Sequence, residues 1–194
     1  MKRNFDFLNS IENISEETFS ELVKITEFKR IPAGTKIINY EEVPSKIYLL
    51  VSGIIRCYLS TESGKEFNKS FYLPSSFLAS LTALIKKKPS LFVFETLSDC
   101  KIYEIDYSEL MKLCKDNPSL KNLHIKILEK VYFNYEKRLV DLISLNASDR
   151  YLELKKLIPN IDDMISQYHI ASYLGITPVQ LSRIRKKNKR NEAI

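Results

Sequence analysis

His169-Ile170-Ala171-Ser172-Tyr173-Leu174-Gly175-Ile176-Thr177-Pro178-Val179-Gln180-Leu181-Ser182-Arg183-Ile184-Arg185-Lys186 is the stretch from which the architecture can be read. Ile170, Ala171 and Leu174 give a first helix an apolar face. Gly175 then permits a sharp change of direction, because it enters the left-handed backbone region without a Cβ clash. Thr177 is placed to cap a second helix, and Pro178 takes its first position, where the missing N–H is not needed. Leu181 and Ile184 can bury against the first helix, which leaves Val179, Gln180, Ser182, Arg183 and Lys186 outside. Two helices about a glycine turn, the second polar on its outer face, form a helix-turn-helix pattern in which the second helix is the one that reaches base edges.

The charge distribution agrees with that reading. The 194 residues carry a net charge of +6. Residues 146–194 hold nine basic and five acidic side chains, so +4 of the total lies in the last quarter. Arg183, Arg185, Lys186, Lys187, Lys189 and Arg190 follow one another with no acidic residue between them. Such a block attracts a polyanion with salt-dependent, sequence-independent affinity, although basic tails also serve merely to solubilise.

Upstream of the motif, one helix starts near Ser148, carries Tyr151, Leu152, Leu154 and Leu157, and ends before Pro159. Another covers about 162–167. Before these, Pro118 sits near the start of a helix that runs to about Ser144, roughly 39 Å long. Leu120, Leu123, Ile127, Val131, Tyr135, Leu139 and Leu142 form an apolar stripe along it in steps of three and four. Pairing with a second copy of the chain would bury that stripe.

The first half of the chain has a different grammar. A helix capped by Ser15 carries Phe19, Leu22 and Val23. Short β-rich runs follow at 28–31, 37–40, 47–51, 54–59, 91–97 and 101–105, separated by compact turns such as Pro32-Ala33-Gly34 and Ser52-Gly53. Residues 71–85 are ambiguous, with Phe77, Leu81, Leu84 and Ile85 at helix-like spacing. Asp106 can cap a helix over 107–114, with Glu109 at the reciprocal position. Many short strands point to an antiparallel barrel or jelly roll, not an alternating α/β domain. The expected division is a β-roll with flanking helices over 1–116, a long helix over 117–145 and a helix-turn-helix module over 146–194, an α+β chain.

Several classes are disfavoured. No apolar run approaches the 18 or so residues that cross a bilayer, and the first ten residues lack a signal-type apolar core, so a cytoplasmic protein with no membrane partner is expected. Cys57, Cys100 and Cys114 are too few and scattered for a disulfide framework. His124 and His169, the only imidazoles, are expected to pack on helices, not to bind metal. No nucleophile–base–acid set and no Gly-rich phosphate loop appears, so neither an enzyme nor a cofactor is expected.

With these residues in view, the chain resembles the Crp/Fnr family of bacterial transcription regulators over nearly its whole length. The Ile-Ala-x-x-Leu-Gly-Ile-Thr run from Ile170 and the Leu-Ser-Arg-Ile-Arg run from Leu181 carry the likeness of the DNA-binding motif. Pro32-Ala33-Gly34 and Val51-Ser52-Gly53-Ile54-Ile55-Arg56 match turn landmarks of the family's cyclic-nucleotide-binding-type β-roll. The resemblance implies a homodimer on a pseudo-palindromic operator in double-stranded DNA, with RNA polymerase and a small effector as further partners. Arg183 falls at the family's base-reading arginine. Pro178, Val179 and Gln180 fall at its other variable reading positions, while Thr177, Ser182, Lys186, Lys187 and Lys189 would contact the backbone.

The departures are as informative. Cyclic-nucleotide-binding members hold the ribose with a Gly-Glu pair and the cyclic phosphate with an Arg about ten residues on. Here the pair falls near Ala79-Ser80, and the Arg position is Ser90, followed by Leu91 and Phe92. A phosphate buried there without a guanidinium would be left unpaired, at several kcal/mol. Lys86, Lys87 and Lys88 match a bidentate phosphate poorly and read as a solvated loop. Tight cAMP binding is therefore not expected, and an unidentified effector, or none, is. Three isolated cysteines do not match an iron–sulfur ligand set. The wing that family members add after the reading helix is expected to be reduced or absent. Two rivals stay open: a true cyclic-nucleotide-responsive regulator with a non-standard pocket, and a β-roll interaction or carrier module without specific DNA binding.

Overall fold

The computed structural model describes residues 2–191, with side chains through residue 188. In chain order the elements are α1 (Lys2–Asn9), α2 (Glu16–Lys24), β1 (Thr26–Ile31), β2 (Lys36–Ile38), β3 (Lys46–Ser52), β4 (Ile55–Ser60), β5 (Glu66–Tyr72), β6 (Ser76–Leu78) and α3 (Leu81–Lys86). They continue as β7 (Val93–Thr96), β8 (Cys100–Asp106), α4 (Tyr107–Asp116), α5 (Pro118–Ser144), α6 (Ala147–Leu157), α7 (Ile161–Met164), α8 (Gln167–Leu174) and α9 (Pro178–Asn191). The strands form two four-stranded sheets in the orders β1-β8-β3-β6 and β2-β7-β4-β5. This is the antiparallel roll, followed by a long helix and further helices.

Two compact units emerge: residues 1–57 with 71–134, and residues 58–70 with 135–194. The division by sequence pattern follows the ends of α5, whereas the compact units divide within α5 and group the β4–β5 hairpin with the last helices.

In the first unit, Ile38, Tyr48, Leu50, Ile55, Leu78, Phe94 and Ile102 from both sheets form one buried core. Arg56 stands between the core residues Ile55 and Cys57 on β4 and so faces the other side of its sheet, with only 5% of its surface exposed and its guanidinium 2.5 Å from Glu95. At the base of the roll, burial pushes the Glu104 carboxyl up, but hydrogen bonds from Lys46 and Lys29 outweigh it and hold the group below the usual carboxylate range.

A second core in this unit is helical. Leu8, Ile14, Leu22, Leu110, Cys114, Leu120 and Leu123 meet Ile105 at the end of β8. Asp106 caps α4 by accepting from the Ser108 and Glu109 amides. Helix α1 was not expected from the sequence. Phe5 packs edge-on against Phe19 at 5.3 Å, and Phe7 stacks on Phe77 at 5.9 Å. His124 is half-buried beside Tyr107, with ring centres 6.1 Å apart, and burial lowers its pKa.

This core corrects the stripe on α5. Leu120, 2% exposed, and Leu123 are buried among residues of their own chain, and Ile127 packs at the margin of the same core. Leu120 and Leu123 therefore do not lie on a seam with a second copy, whereas Ile127 is only half-buried. The apolar surface that α5 leaves open is offset: Ile125, Tyr132, Tyr135, Leu139 and Leu142 are exposed, as are Phe133, Val140 and Ile143.

Gly53 closes the turn between β3 and β4 at φ +93°, where a Cβ would lie 2.5 Å from both the Asp99 carbonyl oxygen and Cys100 Sγ. Gly64, at the tip of the β4–β5 hairpin, has φ +76° with open space around it. Gly64→Ala is expected to cost about 1 kcal/mol for left-handed backbone alone. Gly53→Ala should add about 1–3 kcal/mol of overpacking to that cost. Urea unfolding of the two variants tests the difference, and equal losses would contradict the packing argument.

Candidate nucleic-acid interface

The second unit is built around α8. Ser166 caps the helix by accepting from the His169 amide, and Gly175 ends it at φ +69°. Helix α7 is shorter than expected and ends at Met164, because Ile165 turns extended and Ser166 begins a new helix, so Gln167 belongs to α8. Helix α6 is capped by Asn146, which accepts from the Ser148 and Asp149 amides. Tyr151, Leu154, Ile158, Ile161, Ile165, Ile170, Ala171, Leu174 and Leu181 supply the buried apolar side chains of the module.

Three elements hold α8. From the hairpin, the Asn68 amide donates to Ser172 Oγ at 2.9 Å, and Ser172 Oγ donates to the Glu66 carbonyl at 2.8 Å. The Asn68 side-chain amide donates to the His169 carbonyl at 3.2 Å. From α5, Arg138 donates to the Tyr173 carbonyl and stacks 3.7 Å from the centre of the Tyr173 ring. From α6, Arg150 donates to the Leu174 carbonyl at 3.1 Å. The last two satisfy carbonyls that a helix end would otherwise leave open, with positive charge at the negative end of the helix dipole. None of Asn68, Arg138 or Arg150 was singled out from the sequence. Their partners lie 24 to 104 residues away, and nothing in local spacing announces such pairs.

Helix α9 begins with a reciprocal cap. Thr177 Oγ1 accepts from the Gln180 amide at 3.2 Å, and Gln180 Oε1 accepts from the Thr177 amide at 2.9 Å. This is the Thr-x-x-Gln capping box. It draws Gln180, expected to read a base, back onto its own helix start. The Gln167 side chain also donates to the Pro178 carbonyl at 2.5 Å.

Leu181 is fully buried and Ile184 and Arg185 partly so, whereas Pro178, Val179, Arg183, Lys186 and Lys187 are exposed and Ser182 is half-buried. Val179, Arg183 and Lys186 lie four and three residues apart, which places them in one outward stripe opposite Leu181. Arg185 is turned inward: it pairs with Asp162, whose other oxygen accepts from the Tyr151 hydroxyl at 2.5 Å. Burial, and then the bond to Asp162, push the Tyr151 hydroxyl up to about 12, so it stays protonated and remains a donor. The side chain of Lys189 lies outside the described residues.

In the first unit, the two positions expected to replace nucleotide-binding residues meet each other. Ser90 Oγ donates to Ser80 Oγ at 2.8 Å, both residues are buried, and the Phe92 amide donates to Ser90 Oγ at 3.2 Å. Ala79 is half-buried beside them. Leu91, expected to crowd a buried phosphate, is 63% exposed and points outward, because Ser90 takes the interior position. Among the described residues, no group of three or more His, Cys, Asp or Glu side chains could hold a metal ion, and no helix is long and apolar enough to cross a membrane.

Comparison with known proteins fits this geometry. Residues 28–117 match the cyclic nucleotide-binding domain family. The anaerobic regulatory protein of Haemophilus influenzae is 24% identical over 186 residues, covering 88% of this chain and 70% of that protein. The fumarate and nitrate reduction regulatory protein of Vibrio cholerae is 23% identical over 196 residues, covering 93% and 76%. Among solved structures, the c-di-GMP responsive global regulator CLP of Xanthomonas campestris superposes with a TM-score of 0.73 at 16% identity, over 92% of this chain and 93% of that one. FixK2 of Bradyrhizobium japonicum gives 0.71 at 17%, over 87% and 86%. The chain thus couples a cyclic-nucleotide-binding-type roll to helical elements of the regulator fold. Beyond the matched domain, the likeness is to proteins named as regulators at 23–24% identity, and to solved regulators that share the fold.

Ser172→Ala removes the hydroxyl that bonds both the Asn68 amide and the Glu66 carbonyl. A loss of about 1–3 kcal/mol in urea unfolding is expected, together with faster hydrogen exchange at the Asn68 amide. Unchanged exchange at that amide would show that the hairpin does not depend on the hydroxyl.

Proposed function

We propose that the chain is a homodimeric, sequence-specific DNA-binding regulator in which α9 is laid in the major groove and two copies read half-sites about 34–36 Å apart. The observation that carries this reading is the outward stripe of Val179, Arg183 and Lys186 on a helix whose opposite side is locked by the fully buried Leu181. Arg183 reads a guanine edge and Val179 touches a thymine methyl, with Pro178 beside them. Gln180 serves mainly as the helix cap. Thr177, Ser182, Lys186, Lys187 and Lys189 contact the sugar–phosphate backbone, which orients the helix without reading sequence.

The dimer is made by the open face of α5. Ile125, Tyr132, Leu139 and, offset from them, Tyr135 and Leu142 repeat at seven-residue intervals, the spacing that a two-helix seam requires. The roll does not take cAMP in the family manner. Ser80 and Ser90 are bonded to each other where a ribose carboxylate and a phosphate guanidinium would be needed. An effector of another chemistry, and contact with RNA polymerase, belong to the same reading.

Selection of genomic fragments by the purified protein at a stated salt concentration tests it, and failure to enrich any sequence would refute it. On the selected duplex Arg183→Ala is expected to cost about 1–3 kcal/mol and relax one base pair, with little loss on random DNA. Lys187→Ala should weaken all duplexes alike and lower the salt slope by roughly one unit. Tyr132→Glu with Leu139→Glu should give monomers in sedimentation, because like charges would be buried on the seam. Neither the thermal midpoint nor DNA affinity should respond to cAMP; a midpoint that climbs with nucleotide concentration would overturn the pocket assignment.

A further inference from the structure

Helix α9 is held at three places, and the third is charged. Its start is tied by Gln167 at the Pro178 carbonyl, and its second turn by Leu181 in the core. Four residues on, on the same inner side, the Arg185 guanidinium donates to Asp162 Oδ1. Asp162 Oδ2 is in turn fixed by the hydroxyl of Tyr151, a ring buried in α6. The Arg185 side chain is 21% exposed, and its Nε is buried with no hydrogen-bond partner among the described residues. A guanidinium with only its own hydration to satisfy would turn that nitrogen to water, so its burial without a partner marks an orientation imposed by the carboxylate.

We infer that Asp162 is the positioning residue that sets the rotation of α9 about its own axis, and thereby the aim of Val179 and Arg183 at base edges. This rests on the reading of α9 as the base-reading helix. An apolar contact such as Leu181 is non-directional and tolerates small rotations, whereas a charge-assisted hydrogen bond to a carboxylate held at its other oxygen has a preferred direction. A helix with its side chains is about 10–12 Å across, so a rotation of about 20° carries an outer tip roughly 2 Å. That is enough to break a two-pronged hydrogen bond on a guanine but leaves a lysine within reach of a phosphate. Asp162 also keeps Arg185, which lies within the basic block, from swinging out to compete for phosphates.

The test is Asp162→Asn in the full-length chain, with folding checked by circular dichroism and assembly by sedimentation. The duplex is the one enriched by the unaltered protein from genomic fragments, compared with a random duplex across a salt series. The ratio of selected to random affinity is expected to fall about tenfold, the scale of one mismatched base pair. Random-duplex affinity and its salt slope should stay within about twofold. A folded, dimeric variant that keeps the original ratio overturns the inference, and so does a variant that loses both affinities together. If Asp162→Asn does not fold, Arg185→Lys, which keeps the charge but presents a single nitrogen, decides by the same criteria. If the unaltered protein enriches no sequence, the DNA-reading assignment itself fails, which is a different result from a retained ratio.

Discussion

A helix can bury each part of its surface only once, and α5 is governed by that constraint. Its first turns are spent on the chain's own core, where Leu120 and Leu123 meet Leu22, Leu110 and Cys114. Beyond them, hydrophobic residues continue at helical spacing and stay exposed, ending at Ile143, which is 77% exposed. Singly exposed apolar residues are ordinary, but a continuous row along one helix is not. Once the first turns are accounted for internally, the remaining row shifts only in part from the stripe that spacing alone suggests. The shift carries the proposed seam from Val131 to Tyr132, while Tyr135, Leu139 and Leu142 belong to both.

The roll shows a second economy, in polar groups. A buried hydroxyl or guanidinium needs partners, and an open ligand site leaves some of them waiting. Here the waiting groups are served from within. Ser80 and Ser90 bond each other, and Glu95 faces Arg56. Breaking the serine pair to admit a phosphate would require two hydroxyls to do what a guanidinium does through fixed, charge-assisted bonds.

Much of this was legible in the sequence, for reasons that can be named. The turn at Gly175, the cap at Thr177 and the proline at Pro178 are local devices, and local devices can be read locally. Asp106 and Ser15 announce their helices in the same way. What escaped depends on partners distant in sequence. Strand β5 was missed because the Asn68 position, polar in sequence, is buried by contact with α8 and not by a hydrophobic core. Helix α1 was missed because Phe5 and Leu8 stand among charged and amide residues and gain their burial from α2 and the roll. The reciprocal cap made by Gln180 was not legible for a related reason. A glutamine three residues after a capping threonine satisfies both a capping box and a base-reading pattern, and only geometry distinguishes them.

The basic block at the end of the chain illustrates why counting charges overstates what they do. Of the four cations from Arg183 to Lys187, Arg185 is turned inward and neutralised by Asp162, while the other three face out. An inward arginine adds nothing to the attraction of a polyanion at close range, and its value is directional. In the proposed reading, affinity for any DNA and discrimination among DNAs therefore draw on different members of one run of residues. Lysines on the outer face would supply the first through charge, which tolerates displacement, because Coulomb energy changes slowly with distance. Arg183 would supply the second through hydrogen bonds, which fail within a fraction of an ångström. A helix that performs both functions must be held more tightly than charge alone demands, and the paired carboxylate and buried tyrosine behind α9 are the part of the module able to hold it so.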